Sequence, residues 1–587
     1  MTTFDSDTSK NLKDWLEGNY DKQTKETINS LLKKNPSEVI DAFYKRLSFG
    51  TSGLRGIMGV GTNRINQYTI RAATQGFANH ILKQKKTDRL HSVIIGYDSR
   101  KNSRYFAEES AKVLAGNEIQ VYLFEDLRPT PLVSFGCRLK KCSGGIVITA
   151  SHNPPEYNGY KVYWSDGAQV LPPHDQAIID EVEKITDISK IRVVEDINHS
   201  LITIVNSDIE EAYYDALEQQ QHFPEINRKY GDQLSIVYSS LHGSGITMVP
   251  EALHRWGFNN ISLVEEQCEP NGAFPTVSYP NPEEENALRL GIDKMLEIDG
   301  DILLATDPDT DRVGTAVRHQ GKTVLITGNQ IACLCLEHIC SALHSQNRLP
   351  ENSAFIKTVV TSELFKVIAE HYGKPCFDVL TGFKYIAEMI DQWEKDKRNG
   401  YQYIFGSEES YGYLLGTHSR DKDAVSSCAL IAEVALHAKL NGKTLIDLLY
   451  DLYEKYGVYV EKLHNLKYEE TKEGHEKMRK GIQHLQENPP KFLAGVPVKE
   501  IDDYHKSIKI NVVSGETEKI MLPKTNLMGF WLEDGSKVMV RPSGTEPKIK
   551  IYCGVKKQNP SDSLEDTVVI CEEYCANLIN DMIQILS

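Results

Sequence analysis

Ser151 is the residue whose setting points most clearly to chemistry, and it lies in the segment TASHNPP at residues 149–155. The apolar residues 145–148 before the segment predict a buried strand, so the serine follows directly after that strand ends. His152 and the two prolines stiffen the turn, and a small hydroxyl residue on a stiff turn is typical of an exposed nucleophile. We therefore predict that Ser151 is a nucleophile.

Three carboxylates, Asp307, Asp309 and Asp311, follow a second apolar run at residues 302–305. Carboxylates at alternate positions of an extended or turning segment can converge on one hard cation. A calcium loop of the EF-hand type would need glycine at its sixth position and glutamate at its twelfth, and this chain has arginine at both. The triplet predicts a Mg²⁺ site with a position left for a phosphate oxygen, and the alternative is a solvated acidic turn.

The segment RPSGTEP at residues 541–547 lies between two predicted strands. Gly544 lets backbone N–H groups approach an anion, and Ser543 and Thr545 add hydroxyl donors. Arg541 adds a guanidinium that can bind an anion through two hydrogen bonds. The segment predicts a clamp for a phosphate that is held rather than transferred, and the alternative is an ordinary turn.

The segment GSEESYG at residues 406–412 follows a predicted strand and has the groups that bind sugars. Glu408 and Ser410 are alternate residues that could point the same way and hydrogen-bond vicinal hydroxyls, and the alternative is a charged loop with a structural tyrosine. Weaker candidates are the glycine-rich residues 49–56, which could wrap a phosphate and include Arg55, and the lone lysines Lys161 and Lys384.

Alternating strands and helices must position these loops. Residues 92–97 and 119–124 have the pattern of strands on either side of a helical segment at 105–114, and similar alternation starts again near residues 234 and 324. From about residue 458 the pattern changes to a helix, antiparallel strands and a final amphipathic helix. We predict three α/β units followed by a small α+β domain, with a polar helical cap over residues 1–45.

Composition narrows the class of protein. A chain of 587 residues suggests about four domains. A formal net charge of −16 argues against general binding to nucleic acids or anionic membranes, since both require a basic surface. The eleven cysteines lack the spacing of a zinc site. With no apolar signal region or membrane span in the sequence, we expect a cytoplasmic protein with reduced thiols.

Together, the four loops resemble those of the α-D-phosphohexomutase superfamily, in the family's order and one per predicted domain. The resemblance spans about residues 45–560. It implies an α/β fold of three similar domains with mixed sheets and a smaller C-terminal α+β domain around a central cleft. The implied domains are 1–205 with the cap and the phosphoserine loop, 206–318 with the metal loop, 319–457 with the sugar loop, and 458–587 with the phosphate loop.

The resemblance also implies an activity. Members move a phosphoryl group between the 1- and 6-positions of hexose phosphates, or the 1- and 5-positions of pentose phosphates. Residues 408–413 and 420–423 are similar to the long phosphoglucomutase branch, which implies interconversion of glucose 1-phosphate and glucose 6-phosphate. Phosphomannomutase, phosphopentomutase and glucose-1,6-bisphosphate synthase activities remain as alternatives. The expected partners are small sugar phosphates, with no nucleic acid or membrane, and the chain is expected to be a monomer or a weak dimer.

Residue roles follow from the same resemblance. Ser151 would carry the phosphoryl group and share one Mg²⁺ with the three aspartates, and glucose 1,6-bisphosphate would be intermediate and activator. Arg55 and Arg312 would stabilise the oxygens of the transferred phosphoryl group. Lys161 and Lys384 would be the proton-transfer candidates, with His152 as a weaker one. Substrate would be bound by Glu408, Ser410, Arg541, Ser543, Gly544 and Thr545. For either lysine to act as a base, its pKa would have to be lowered.

Three other classes of protein fit less well. A serine hydrolase would need a Gly-x-Ser-x-Gly turn, and this chain has Ala150 and His152 beside the serine. A metal-dependent phosphatase would not need a separate clamp for an unreactive phosphate. A sensor without catalytic activity would be expected to have lost the serine or an aspartate, and all four are present.

Overall fold

The computed structural model describes residues 4–47, 53–84, 89–205, 207–469, 471–543, 548–558 and 563–587. The helices are α1 (Ser6–Glu17), α2 (Lys22–Lys34), α3 (Pro36–Phe43), α4 (Gln67–Leu82), α5 (Ser103–Gly116), α6 (Thr130–Leu139), α7 (His174–Glu183), α8 (Ser207–Glu218), α9 (Pro224–Tyr230), α10 (Val249–Arg255), α11 (Glu265–Cys268), α12 (Glu285–Glu297), α13 (Gly328–Ser345), α14 (Glu363–His371), α15 (Phe383–Lys395), α16 (Ala424–Leu440), α17 (Leu445–Tyr456), α18 (Lys472–Glu487) and α19 (Leu564–Leu586).

The strands form four sheets. They are β1 (Leu54–Ile57), β2 (Ser92–Tyr97), β3 (Gln120–Phe124), β4 (Gly144–Ile148), β5 (Tyr157–Trp164), β6 (Ile202–Val205), β7 (Ile236–Ser239), β8 (Ile261–Leu263), β9 (Ile302–Thr306), β10 (Val313–His319), β11 (Lys322–Ile326), β12 (Ser353–Thr358), β13 (Cys376–Val379), β14 (Gln402–Glu408), β15 (Gly412–Leu415), β16 (Val458–Lys467), β17 (Phe492–Leu493), β18 (Val496–Asp503), β19 (Ile508–Asn511), β20 (Thr517–Lys519), β21 (Met528–Leu532), β22 (Lys537–Pro542) and β23 (Lys548–Lys557).

The chain divides into two compact units that are not continuous in sequence. Unit 1 contains Met1–Thr327, Ile386–Phe405 and Ser410–Leu440. Unit 2 contains Gly328–Tyr385, Gly406–Glu409 and Asn441–Ser587. The four domains expected from the motifs remain a prediction.

The first sheet positions the Ser151 turn. Its order is β1-β5-β4-β2-β3-β6, and β4, β2, β3 and β6 are parallel. Strand β5 is antiparallel to β4, and β1 at the edge is antiparallel to β5. Every residue of β2 and β4 is buried, as expected for parallel strands covered on both faces. Because β2 and β4 are parallel neighbours, the residues after Tyr97 and after Ile148 emerge at the same edge of the sheet.

A separate small core supports the N-terminal residues. Helices α1, α2 and α3 begin after Asp5, Asp21 and Asn35, whose side chains accept hydrogen bonds from backbone N–H groups of the first turns. Their apolar faces bury Trp15 and Phe43 together with Tyr68 of α4. The cap predicted for residues 1–45 is therefore three packed helices.

The second sheet positions the aspartate triplet. Its order is β11-β10-β9-β7-β8, with β9, β7 and β8 parallel and the β10–β11 hairpin antiparallel. Strand β9 is buried throughout and leads directly into Asp307. Helices α12 and α16 both contact β9, which explains its continuous apolar sequence.

The third sheet has the order β13-β12-β14-β15, and β12 and β13 are parallel. The fourth is antiparallel and runs β16-β23-β22-β21-β18-β19-β20, with β17 paired to β18. Helix α19 contacts β16 and β23, so the C-terminal part has the combination of antiparallel sheet and helix that the sequence predicted. None of the helices in the described ranges combines the length and apolar character that a membrane span requires.

Candidate active site

The Ser151 turn is buried and held by polar contacts. Ser151 is 3% exposed, so the exposed nucleophile expected from the sequence is wrong for this conformation. Its φ is 52°, in the left-handed region that costs a residue other than glycine about 1–3 kcal/mol. The backbone N–H of Ser151 donates to Thr149 Oγ1 at 2.8 Å, and that hydroxyl donates to Asp98 Oδ2 at 2.6 Å. Ser151 Oγ donates to Asp307 Oδ2 at 2.9 Å and lies 3.1 Å from His152 Nδ1.

A buried ion pair at the end of β2 braces this turn. Arg100 is 3% exposed and lies 3.3 Å (Nε) from Asp98 Oδ2. Its guanidinium donates to the carbonyl of Ser151 at 2.6 Å, to that of Pro154 at 2.8 Å, and to that of Asn153. One guanidinium thus donates hydrogen bonds to several carbonyls of a strained loop. Burial raises the pKa of Asp98, although the positive charge of Arg100 opposes this shift. The pair therefore holds the backbone of the Ser151 turn.

The three aspartates meet at one point. Asp307, Asp309 and Asp311 are each at most 2% exposed, and ligand oxygens from all three lie within 4.8 Å of one another. Thr310 has a φ of 57° and makes a tight turn between the second and third carboxylates. Asp307 Oδ1 accepts the backbone N–H groups of Asp311 and Arg312, both at 3.0 Å, which locks the loop onto its first residue.

The aspartate cluster is suited to a cation. Among the described residues, Asp309 Oδ1 and Asp311 Oδ1 are buried without a hydrogen-bond partner, which is costly unless another group satisfies them. Burial raises the pKa of Asp307 well above its usual range, and repulsion by the other two carboxylates raises it further. A hard divalent cation would relieve both problems, and carboxylate oxygens are the ligands that Mg²⁺ prefers.

Two lysines supply positive charge at the triplet. Lys161 Nζ lies 2.7 Å from Asp309 Oδ2 and 3.0 Å from Asp311 Oδ2, and Lys422 Nζ lies 3.4 Å from the same Asp311 oxygen. Burial favours a lower pKa for Lys161, but the two carboxylates outweigh burial and raise that pKa. A lowered pKa was the condition for Lys161 to act as a base. In this arrangement Lys161 is an ammonium group that donates hydrogen bonds to both carboxylates.

Both predicted arginines lie at the edge of this cluster. Arg55 in β1 is exposed, and its Nη1 donates to Asn153 Oδ1 at 2.9 Å on the Ser151 turn. Arg312 Nη1 donates to Glu283, and Arg312 Nε lies 3.8 Å from Asp311 Oδ1. Residues 49–52 of the predicted glycine-rich loop lie outside the described part of the chain.

The segment before α16 holds Lys422 in place. Asp421 Oδ2 accepts from Tyr163 Oη at 2.7 Å and from Gln169 Nε2 at 2.8 Å. Asp423 Oδ1 accepts the backbone N–H of Val425 at 2.9 Å and so caps the helix. With fixed residues on both sides, the Lys422 ammonium has little freedom to leave the aspartates.

The predicted sugar-binding residues fall in both units. Strand β14 ends at Glu408, so the alternation expected to align Glu408 with Ser410 does not extend that far. Glu408 is 6% exposed, and its Oε1 accepts the backbone N–H of Gly382 at 2.8 Å, where Gly382 has a φ of 123°. Lys384, two residues further along, is 8% exposed and lies 5.5 Å from the Tyr385 ring. Unit 2 therefore brings Glu408 and the 381–384 turn together, while Ser410 belongs to unit 1.

The predicted phosphate clamp begins at the end of β22. Arg541 is half-buried and lies opposite Lys550 of β23, and the backbone N–H of Ser543 donates to Lys548 O at 2.8 Å. Gly544 and Thr545 lie outside the described residues. The structure therefore describes only the first half of this loop.

Comparison with known proteins identifies the family. Sequence models for the α/β/α domains I, II and III of phosphoglucomutase/phosphomannomutase match residues 46–189, 211–321 and 327–456. Phosphoglucomutase from Staphylococcus haemolyticus is 36% identical over 523 residues, which are 88% of this chain and 92% of the relative. The enzyme from Staphylococcus aureus strain MSSA476 is 37% identical over 527 residues, 89% of this chain and 92% of its own. The chain belongs to the phosphoglucomutase/phosphomannomutase family.

Solved structures of the phosphoglucomutase/phosphomannomutase family have the same fold. Parafusin, a phosphoglucomutase from Paramecium, superposes with a TM-score of 0.67 at 18% identity over 92% of this chain and 96% of its own. A putative phosphomannomutase from Thermus thermophilus gives a TM-score of 0.64 at 22% identity over 91% of this chain and 99% of its own. The family resemblance and the α/β fold class predicted from the sequence are thus confirmed.

Sequence reasoning missed three residues that the geometry places at this site: Asp98, Arg100 and Lys422. A signal for the first two exists, since they follow the apolar run of β2 as Ser151 follows that of β4. Ligand-binding residues of open α/β sheets concentrate at such strand ends. Lys422 lies within residues 420–423, which resemble a family segment, and nothing in its spacing connects it with the aspartates.

Proposed function

We propose that this protein is a phosphoglucomutase that interconverts glucose 1-phosphate and glucose 6-phosphate through a phosphoserine at Ser151. The observation that carries the proposal is the 2.9 Å hydrogen bond from Ser151 Oγ to Asp307, one of three clustered carboxylates. A hydroxyl held against a cation site by a braced, left-handed turn suits a group that accepts and returns a phosphoryl group.

Phosphoryl transfer to the sugar replaces the bond from phosphorus to Ser151 Oγ by a bond to a sugar oxygen, and one proton moves in the opposite direction. The bond from phosphorus to Ser151 Oγ breaks as a bond to the sugar hydroxyl oxygen forms, while the hydroxyl proton leaves and Oγ regains a proton. Mg²⁺ bound by the three aspartates and a phosphoserine oxygen would supply charge neutralisation at the phosphoryl group. His152 Nδ1 lies 3.1 Å from Oγ, which supports a role for His152 in exchanging a proton with that oxygen. Lys161, with its raised pKa, stays an ammonium group, which suits it to donating hydrogen bonds to oxygens of the reacting groups.

We assign the remaining roles as follows. Arg55 and Arg312 stabilise oxygens of the moving phosphoryl group, and Lys384 is a second proton-transfer candidate. Glu408 and Ser410 bind sugar hydroxyls. The unreactive phosphate is bound by Arg541, Ser543, Gly544 and Thr545.

A bisphosphorylated sugar is the expected intermediate. After the first transfer the sugar carries phosphates at positions 1 and 6, and it must turn over before Ser151 takes back the other one. Glucose 1,6-bisphosphate would therefore also restore phosphoserine in enzyme that has lost its phosphoryl group, which makes it the expected activator. The free thiols of all eleven cysteines favour a cytoplasmic setting, and we expect a monomer or a weak dimer.

The test is conversion of glucose 1-phosphate to glucose 6-phosphate with Mg²⁺ and a trace of glucose 1,6-bisphosphate. We expect turnover that stops when the metal is chelated. Mannose 1-phosphate and ribose 1-phosphate, run in parallel, separate phosphomannomutase and phosphopentomutase activity, and 1,3-bisphosphoglycerate as donor separates a bisphosphate synthase. Faster turnover of one of these substrates would replace the proposed one, and no turnover of any sugar phosphate would refute a mutase.

A further inference from the structure

Unit 2 contains a polar cavity whose lining residues have none of the roles assigned above. It has a volume of about 550 Å³ and is lined on one side by α14 and β13, and on the other by the C-terminal sheet. A cavity of this size can hold a small ligand of one to three sugar rings. Its lining includes Asp378, Glu500, Asp502, Lys509 and Trp531.

The sheet face that forms one wall is set by strand register. Glu500 of β18 lies opposite Trp531 of β21, so these two side chains are neighbours on one face. Asp502, two residues further along β18, belongs to the same face and lies opposite Lys509 of β19. An indole, two carboxylates and an ammonium group are therefore placed side by side by the backbone alone.

Asp502 is a buried carboxylate with one oxygen unused. It is 4% exposed, and its Oδ2 accepts the indole N–H of Trp531 at 2.8 Å. Among the described residues no donor reaches its Oδ1 within hydrogen-bonding distance, since Lys509 Nζ is 3.8 Å away. Burial raises the pKa of Asp502, which fits a carboxylate with a donor at only one of its two oxygens. A buried acceptor without a donor indicates that a further group belongs beside it.

The charges around the cavity oppose a strongly charged ligand. Of the residues that the structure describes, five with carboxyl groups and three lysines line the cavity. Two of those carboxylates are already paired behind the wall, since Lys357 Nζ lies 2.9 Å from Glu363 and 2.7 Å from Asp378, and Lys537 Nζ lies 2.7 Å from Glu363. Positive and negative groups therefore balance. Lys509 already provides a cation near Asp502, so the missing partner is a hydrogen-bond donor rather than another charge.

We propose that this cavity binds a neutral saccharide, at a site distinct from the residues assigned to the mutase reaction. Sugar hydroxyls can donate to Asp502 and Glu500 and accept from Lys509, and the apolar C–H face of a sugar ring can pack on the indole of Trp531. The ligand chemistry is shared by a free monosaccharide and by the end of a glucan chain. An occupant would contact both walls and so hold α14 and β13 to the C-terminal sheet within unit 2.

Isothermal titration of the full-length protein with D-glucose and with maltotriose tests the proposal. We expect binding of at least one sugar, weakened about tenfold or more by Asp502→Ala, because hydrogen bonds to a charged group are lost. Trp531→Ala should weaken binding and Trp531→Phe should restore part of it, since Phe keeps an aromatic face. Stronger binding of maltotriose identifies a glucan end, and equal or stronger binding of glucose identifies the monosaccharide.

Matched variants keep the test decisive. Lys509→Ala should weaken binding without a folding defect because its side chain is 38% exposed. Lys480→Ala, at an exposed position of α18, should have no effect. Glu408→Ala alters the proposed mutase site, so binding that it weakens belongs to that site, whereas binding in this cavity is the part that Asp502→Ala and Lys509→Ala weaken. Three results would each overturn the proposal. The first is loss of binding in Glu408→Ala but not in Lys509→Ala, and the second is the absence of any saccharide binding. The third is binding of the cation butylamine in preference to either sugar, which would mean that the cavity selects a positive charge. The readout is binding rather than turnover, so it stands apart from the test of the mutase.

Discussion

Glu461 in β16 should make unit 2 less stable as the pH rises. Its carboxyl group accepts a hydrogen bond from Ser362 Oγ at 2.5 Å. Burial raises its pKa from 4.5 to about 7, although the nearby ammonium groups of Lys537 and Lys357 oppose the shift. The carboxyl group also faces Glu363, which raises the pKa further, and it neighbours the Cys333 thiol and the Tyr453 hydroxyl.

The sign and size follow from proton linkage. Between pH 4.5 and 7 the folded state holds the proton of Glu461 more tightly than the unfolded state does, so stability falls as the pH rises through that window. Because the pKa rises from 4.5 to about 7 and each pH unit corresponds to about 1.36 kcal/mol, the stability lost above pH 7 is at most about 3 kcal/mol. Glu461→Gln removes the charge and keeps an acceptor for Ser362. The free energy of unfolding of Glu461→Gln should exceed that of the wild type by about 1 kcal/mol at pH 5 and by about 3 kcal/mol at pH 8.

Urea unfolding followed by pulsed hydrogen exchange would measure this effect on peptides from β16 and β23. Comparing variant and wild type at each pH removes the effect of pH on all other groups. Glu473→Gln, at an exposed position of α18, is the matched control and should change stability little. An advantage that does not change with pH, or a loss of stability in Glu461→Gln at pH 8, would refute the reasoning. The second result would mean that attraction to Lys537 outweighs burial.

Three further predictions concern the candidate active site. Ser151→Ala should abolish mutase turnover and cost only about 1 kcal/mol of unfolding free energy, the worth of one hydrogen bond; turnover near the wild-type rate would exclude the phosphoserine role. Arg100→Met should lower kcat and destabilise the protein by about 3–5 kcal/mol in thermal or urea unfolding, because Asp98 would be left as an unpaired buried charge; unchanged stability would contradict the brace. Arg541→Ala should mainly raise KM for glucose 1-phosphate in steady-state kinetics, whereas a large fall in kcat at constant KM would exclude a holding clamp.

Local sequence was enough to predict the elements that carry the chemistry. The apolar runs of β4 and β9 are continuous because both strands are buried on both faces, and that pattern is visible without a structure. Ser151 and Asp307 then follow at the ends of these strands. The aspartates could be recognised as a cation site because their spacing already limits the ways they can converge.

Contacts between distant parts of the chain could not be predicted in the same way. Lys161 and Asp309 are separated by 148 positions, and their contact reverses the pKa shift that a base would need. Arg100 braces the Ser151 turn only because β2 and β4 are parallel neighbours, a pairing that the intervening α5, β3 and α6 hide from local analysis. Register and pairing, rather than residue type, decide these features.

The discontinuous boundary of unit 1 has a consequence for synthesis. Helix α16, which is buried along most of its length, contacts β9, β10 and α10, and ends at Leu440. A ribosome has therefore delivered residues 328–385, which belong to unit 2, before unit 1 has its last helix. Residues 328–385 must therefore stay without their unit 2 partners while unit 1 folds and until residues 441–587 have been synthesised. Release of the chain near residue 327 would leave β9 and β10 without α16, so the two units are expected to mature together late in translation.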